Sequence, residues 1–262
     1  MKKIMSIILT LLLMVSMSIS ALAAEDPAAL LERVNAKNST LDSMDCKAGV
    51  HAVIQLEYPE YDEPLSANMD MAMNMQMAEI NSGNLRYKAE MAMNLMGMEE
   101  YAVVFYKDGY YYMDMDGSKF KYPMDLNSII ERAKSTASIA PELEASLMRN
   151  LSVREENGMK ILSYEADASA VDGYVKEVMR DMLGDADYIM NMNIRQVKGE
   201  YVINQEDYCT SMDIYMVMDM SVMDQKMTII LLIESDINNP GQPVNVSLPS
   251  TDGYEDLAGY YY

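Results

Sequence analysis

Tryptophan is missing from this chain of 262 residues, histidine occurs once (His51), and cysteine occurs twice (Cys46 and Cys209). A single histidine excludes an HExxH zinc motif and leaves little room for a Ser-His-Asp or Cys-His catalytic arrangement. Two cysteines exclude a disulfide-rich scaffold. Glycine, at 12 residues, forms no phosphate-cradling loop and no dinucleotide fingerprint. Basic residues are also scarce, 20 Lys and Arg against 41 Asp and Glu. Such a surface repels nucleic acid and anionic lipid headgroups and favours cations and basic partners. No carboxylate pair stands out among so many, and the chain has no catalytic signature; it reads as a binding or structural protein rather than an enzyme, with no cofactor.

Apolar runs are short apart from the first. "MKKIMSIILTLLLMVSMSISALAAEDP" joins two lysines to an apolar run from Ile4 to Val15 and a small-residue "ALA" ending at Ala23. This is the pattern of a cleaved export signal over residues 1–23, with cleavage before Ala24. A retained span wants about 20 consecutive apolar residues, which this run does not reach. No cysteine follows it, so lipidation at such a residue is excluded. The expectation is a secreted or cell-surface protein, monomeric and without stable membrane insertion. Without Lys2 and Lys3 its net charge falls from −21 to about −23.

What is abundant is methionine, with 29 residues. Half the residues are hydrophobic, enough for a substantial core in a single domain over 24–262. Asp26-Pro27 is a helix start, and Leu30, Leu31, Val34 and Leu41 follow at roughly helical spacing. From Cys46 the period becomes two, with Ala48, Val50, Ala52, Ile54 and Leu56 opposed by Lys47, His51, Gln55 and Glu57. "SANMDMAMNMQMAEI" carries Met69, Met71, Met73, Met75 and Met77 on one face and Asp70, Ala72, Asn74, Gln76 and Ala78 on the other. Leu85, Tyr87, Ala89, Met91 and Met93 alternate in the same way. Asp108-Gly109, Asp116-Gly117 and Asn157-Gly158 are hairpin turns. Helical spacing predicts helices over Leu126–Ala137 and Val171–Met182, the second closed by Gly184. Long strands return from Tyr188, including one with Met212, Ile214, Met216, Met218 and Met220 on one face and a short pair at Met190 and Met192. "LPSTDG", Leu248 to Gly253, begins within a terminal strand predicted to end at Pro249, before a tyrosine-rich tail. Strands in runs, with helices between, predict an α+β fold built on one large antiparallel sheet.

The segments "LDSMDCKAGVHAVIQLE", "YAVVFYKDGYYYMDMDGSKF" and "INNPGQPVNVSLP", with the Met-alternating strands between them, resemble a family of Met-rich exported proteins of Gram-positive bacteria. More distantly the layout is similar to the LolA-like superfamily of lipoprotein and lipid carriers. That resemblance implies a curved antiparallel sheet, an open half-barrel, with helices covering its concave face and acyl chains held between them. It identifies no ligand contact residue by residue.

Three readings of the methionines follow. Met69, Met71, Met73, Met75, Met77, Met91, Met93, Met190, Met192, Met212, Ile214, Met216, Met218 and Met220 are candidates for the wall of a cavity that takes a lipid or other apolar small molecule. Unbranched thioethers re-pack around ligands of different shape. Thioethers also select Cu(I), and Met71, Met73, Met216 and Met218 are the candidate ligands for that alternative. The third reading is a closed core, with methionine standing in for leucine, in a surface interaction or structural protein. Export permits a Cys46–Cys209 disulfide, which would close a loop of about 160 residues and contribute about 2–5 kcal/mol. The alternative is two buried thiols.

Overall fold

The computed structural model describes residues 25–57, 64–126, 148–169, 171–173, 192–222 and 225–257. Helix α1 (Pro27–Asn38) begins where Asp26 accepts a hydrogen bond from the Ala28 N–H at 3.1 Å, with Pro27 supplying the fixed φ of the first turn. Leu30, Leu31 and Val34 form its buried stripe. The strands are β1 (Ser43–Leu56), β2 (Leu65–Ala78), β3 (Arg86–Leu95), β4 (Met98–Lys107), β5 (Tyr110–Met115), β6 (Ser118–Pro123), β7 (Met148–Glu156), β8 (Met159–Ala166), β9 (Asn193–Ile203), β10 (Cys209–Val222), β11 (Gln225–Ile237) and β12 (Glu255–Asp256).

All twelve belong to one sheet of order β12-β6-β5-β4-β3-β2-β1-β11-β10-β9-β8-β7. Two antiparallel meanders, β1 to β6 and β7 to β11, lie back to back and meet where β1 pairs with β11 from Cys46↔Ile237 to Leu56↔Met227. The three predicted turns hold: Asp108-Gly109, Asp116-Gly117 and Asn157-Gly158 each place two successive residues at positive φ, as two-residue hairpins require. Met96-Gly97 does the same between β3 and β4, with the Gly97 N–H donating to Asn94 Oδ1 at 3.0 Å.

Two expectations are corrected. The fold is not α+β with helices over a concave face: it is an open curled sheet of mixed type, and among the described residues no helix covers its concave side. Among the described residues α1 is the one full helix, and it contacts β7, at an edge of the sheet. A helical turn opens at Ala168, with Asp167 as its cap. The rest of the two predicted helices, beyond Leu126 and beyond Gly173, lies outside the described residues. The second correction concerns the terminal strand. Residues 238–254 are irregular, because Pro240 and Pro243 cannot donate to a ladder. The segment is anchored at the Asn238 N–H, which donates to Asp45 O at 2.8 Å. It arrives at β6, where β12 pairs in parallel. Tyr254 packs edge-on against the stacked rings of Phe105 and Tyr112. This parallel pair is why the sheet is mixed.

The buried residues form two clusters. One joins α1 to β8–β11 around Leu162, Ile203 and Met218. The other spans β1–β4 around Cys46, Met75, Met77 and Ala89.

Candidate functional site: a methionine-bearing sheet face

Strand register decides which methionines share a surface. Residues opposite each other in an antiparallel pair point to the same face, and faces alternate along a strand. The ladder runs Ile214–Ile233–Val50–Met71–Met93 across β10, β11, β1, β2 and β3. One step along, Met212–Ser235–Ala48–Met73–Met91 occupies the same face, and so do Met69, Met75, Met77, Met216, Met218 and Met220. Twelve of the predicted wall residues therefore stand on one side of one sheet. Of the remaining two, Met192 is buried beside β9, and Met190 lies outside the described residues.

The face is graded. On β2, Met75 and Met77 are sealed and Met73 is nearly so, while Met71 and Met69 are half-buried and Leu65 is 48% exposed. Among the described residues, Met69, Met71 and Met93 belong to neither packed cluster. Met96 and Met98, at the β3–β4 turn beside this open end, are 72% and 64% exposed. The row is thus core at one end and accessible apolar surface at the other.

Polar groups are few on this face. Ser235, buried, lies within 3.2 Å of the Cys46 thiol and satisfies it. Burial pushes the Cys46 thiol up, and lifts Cys209 to about 12 and the Tyr87 phenol to about 12. All three are neutral at physiological pH. Glu100, exposed, stands opposite Met93. The cysteines are free and buried. They sit on β1 and at the start of β10, two strands apart, so their backbones are about 9.5 Å apart or more, beyond disulfide reach.

The opposite face is polar over much of β1–β3, whereas Phe105 and Tyr112 on β4 and β5 and Val217 on β10 are buried on it. His51 pairs there with Asp70 at 2.5 Å, both largely exposed, as the strand pattern predicts. An open groove of about 320 Å³ crosses it over Gly49, Ala72 and Ala92, walled by His51, Asp70, Glu99 and Glu234. Among the described residues no group of three or more His, Cys, Asp or Glu side chains is placed to hold a metal, and no helix is long and apolar enough to cross a membrane.

The register also separates residues that sequence spacing grouped. Met71 and Met73 lie on β2, whereas Met216 and Met218 lie on β10, with β1 and β11 between. Three strand spacings, about 14 Å, keep the four from one ion. Sequence reasoning missed the β11 contribution to the face, Ile229, Leu231 and Ile233. Its run "TIILLI" has no alternation, and only the pairing with β1 assigns it.

The described sheet therefore has one methionine-bearing apolar face, sealed at one end and partly accessible at the other. Residues 26–250 match the model of DUF6612, a family of unknown function, and the chain belongs to that family. No curated protein matches the chain. Solved structures similar to it include LprF from Mycobacterium bovis, at 13% identity over 86% of this chain and 97% of that one, with a TM-score of 0.38. Lipovitellin, in a structure of its lipid–protein interactions, is 10% identical over 80% of this chain with a TM-score of 0.39; the chain spans 26% of it. A putative outer membrane lipoprotein-sorting protein domain from Vibrio parahaemolyticus is 8% identical over 82% of this chain and 93% of that one, with a TM-score of 0.22.

Proposed function

We propose that this is an exported, non-catalytic binding protein that holds an apolar ligand, a lipid or acyl chain, against the methionine-bearing face of its sheet. The observation that carries the reading is the graded row on β2: a single register runs from sealed methionines into half-buried Met71 and Met69 outside both packed clusters. A face meant only as core would be closed along its length. Methionine suits a wall that must fit chains of varied shape, because its unbranched stem and polarisable sulfur re-pack at little cost. β-Branched residues, the usual strand choice, would bury similar area but adapt less. On this reading the buried methionines are the foundation, and Met69, Met71 and Met93 with half-buried Met216 are the contact surface. The strong negative charge keeps such a protein soluble and off anionic bilayers.

Native mass spectrometry of the protein purified from its own host tests this. The expected result is a bound mass that organic extraction removes and identifies as lipid, with uptake of a fluorescent fatty acid by the extracted protein. A clean apo mass together with no fatty-acid uptake overturns the reading.

A further inference from the structure

On the same face the register makes a second arrangement that no apolar ligand requires. Met71 stands opposite Met93, and Met73 opposite Met91, on adjacent strands β2 and β3. Among the described strands this is the only place where two successive facing pairs are all methionine. Opposite partners have Cβ atoms about 4.5–5.5 Å apart, and neighbours on one strand face lie about 6.8 Å apart. Each sulfur sits two bonds beyond its Cβ on a flexible stem, so four thioethers can converge over the centre of this quadrilateral. Met71, Met91 and Met93 are half-buried, so an ion reaches them from solvent. Glu100, opposite Met93, adds a negative charge beside the approach.

We propose that Met71, Met73, Met91 and Met93 form a binding site for one soft monovalent metal ion, Cu(I) or its analogue Ag(I). Neutral thioethers prefer soft ions and lose no proton on binding. A second sulfur-rich quadrilateral, Met44 opposite Met77 and Cys46 opposite Met75, adjoins it. There Met75, Met77 and Cys46 are sealed, and binding at the thiol would release a proton. The open quadrilateral is therefore the site, and its affinity should be insensitive to pH.

The test uses the mature protein with Ag(I) by titration calorimetry, and with Cu(I) held reduced by ascorbate in competition with a chromogenic Cu(I) chelator. The expected result is one ion per chain, bound equally well at pH 6 and pH 8, with affinity reduced at least tenfold in M71L/M73L/M91L/M93L and unchanged in M216L/M218L. Circular dichroism confirms that the leucine variants fold. Undiminished affinity in the quadruple variant overturns the proposal, and so does binding no tighter than that of free methionine. Affinity rising about tenfold per pH unit places the ion on Cys46 and also overturns it. Fatty-acid uptake is measured separately on the unsubstituted protein, so failure of the lipid reading and failure of the metal site are told apart.

Discussion

Truncating the methionine row at its two ends should give two very different costs. Met75 is wholly buried between Cys46 on β1 and Ala89 on β3. Met75→Ala removes Cγ, Sδ and Cε from a site whose cross-strand neighbours are small, and a ladder fixed on both sides cannot close the gap. Large-to-small core substitutions of this kind cost about 2–5 kcal/mol, the upper part applying where collapse is blocked; about 3–5 kcal/mol is expected here. For a domain of this size that lowers Tm by roughly 6–20 °C. Met69 is half-buried and outside both clusters, so Met69→Ala should cost less than about 1 kcal/mol. Met75→Leu, nearly volume-conserving, should cost less than about 1.5 kcal/mol. Urea denaturation followed by circular dichroism measures all three, with the m-value checked for constancy. Equal losses for Met75→Ala and Met69→Ala would refute the reasoning, because they would mean that burial along the row does not grade its energetics.

Three further outcomes are expected. At Gly199 a Cβ would lie 2.7 Å from the Asp213 carbonyl oxygen and 2.7 Å from Tyr164 Oη; Gly199→Ala should cost about 1–3 kcal/mol by thermal denaturation, and a neutral result would show that Tyr164 does not pack on that strand. Asp207 accepts from Arg33 at 2.9 Å and Lys160 at 3.2 Å, and Arg33 above all holds its carboxyl below the ordinary value of 3.8. A depressed folded pKa contributes stability that is complete above that ordinary value and disappears as pH falls through the folded one. Asp207→Asn should therefore be about 0.5–1 kcal/mol less stable at pH 7, with the difference shrinking as pH falls below the ordinary carboxyl value and gone only below the depressed folded one, read as Tm against pH; parallel curves would contradict the ion pairs. Thiol titration should label neither cysteine in the native protein and both in urea, since both are buried with raised pKa values; fast native labelling would contradict their placement.

Period-two alternation exposed the methionine face because each of β1, β2, β3 and β10 carries its own pattern of apolar and polar residues. Met69 to Met77 and Asp70 to Gln76 needed no partner to be sorted. β11 is different: Ile229 to Ile233 is apolar throughout, so its faces are defined only by pairing, and Leu232 ends up 39% exposed on the charged side. Strand order was equally invisible. Nothing local in Met216 or Met71 reports that β1 and β11 separate them, so sequence grouped four distant methionines and overlooked Met91 and Met93 as partners for Met71 and Met73. Helical spacing, likewise, reports an amphipathic segment and not the surface on which it lies. The predicted final strand failed at Pro240 and Pro243, where the chain's route to β6 outweighed the apolar alternation of Val244, Val246 and Leu248.

The back-to-back joining of the two meanders bears on how the molecule is made. Every strand pair within a meander is close in sequence, but β1 must wait for β11, whose residues follow roughly 180 positions later. During synthesis from the N-terminus, β1 to β6 can zip together while the outer edge of β1, with its Val50–Leu56 run, still lacks a neighbour. Such an open apolar edge is a template for pairing with another chain. The seam that later becomes the centre of the sheet is, for most of the protein's birth, its point of greatest exposure to aggregation. The interval between the emergence of β6 and of β11 is when a holding chaperone would matter most.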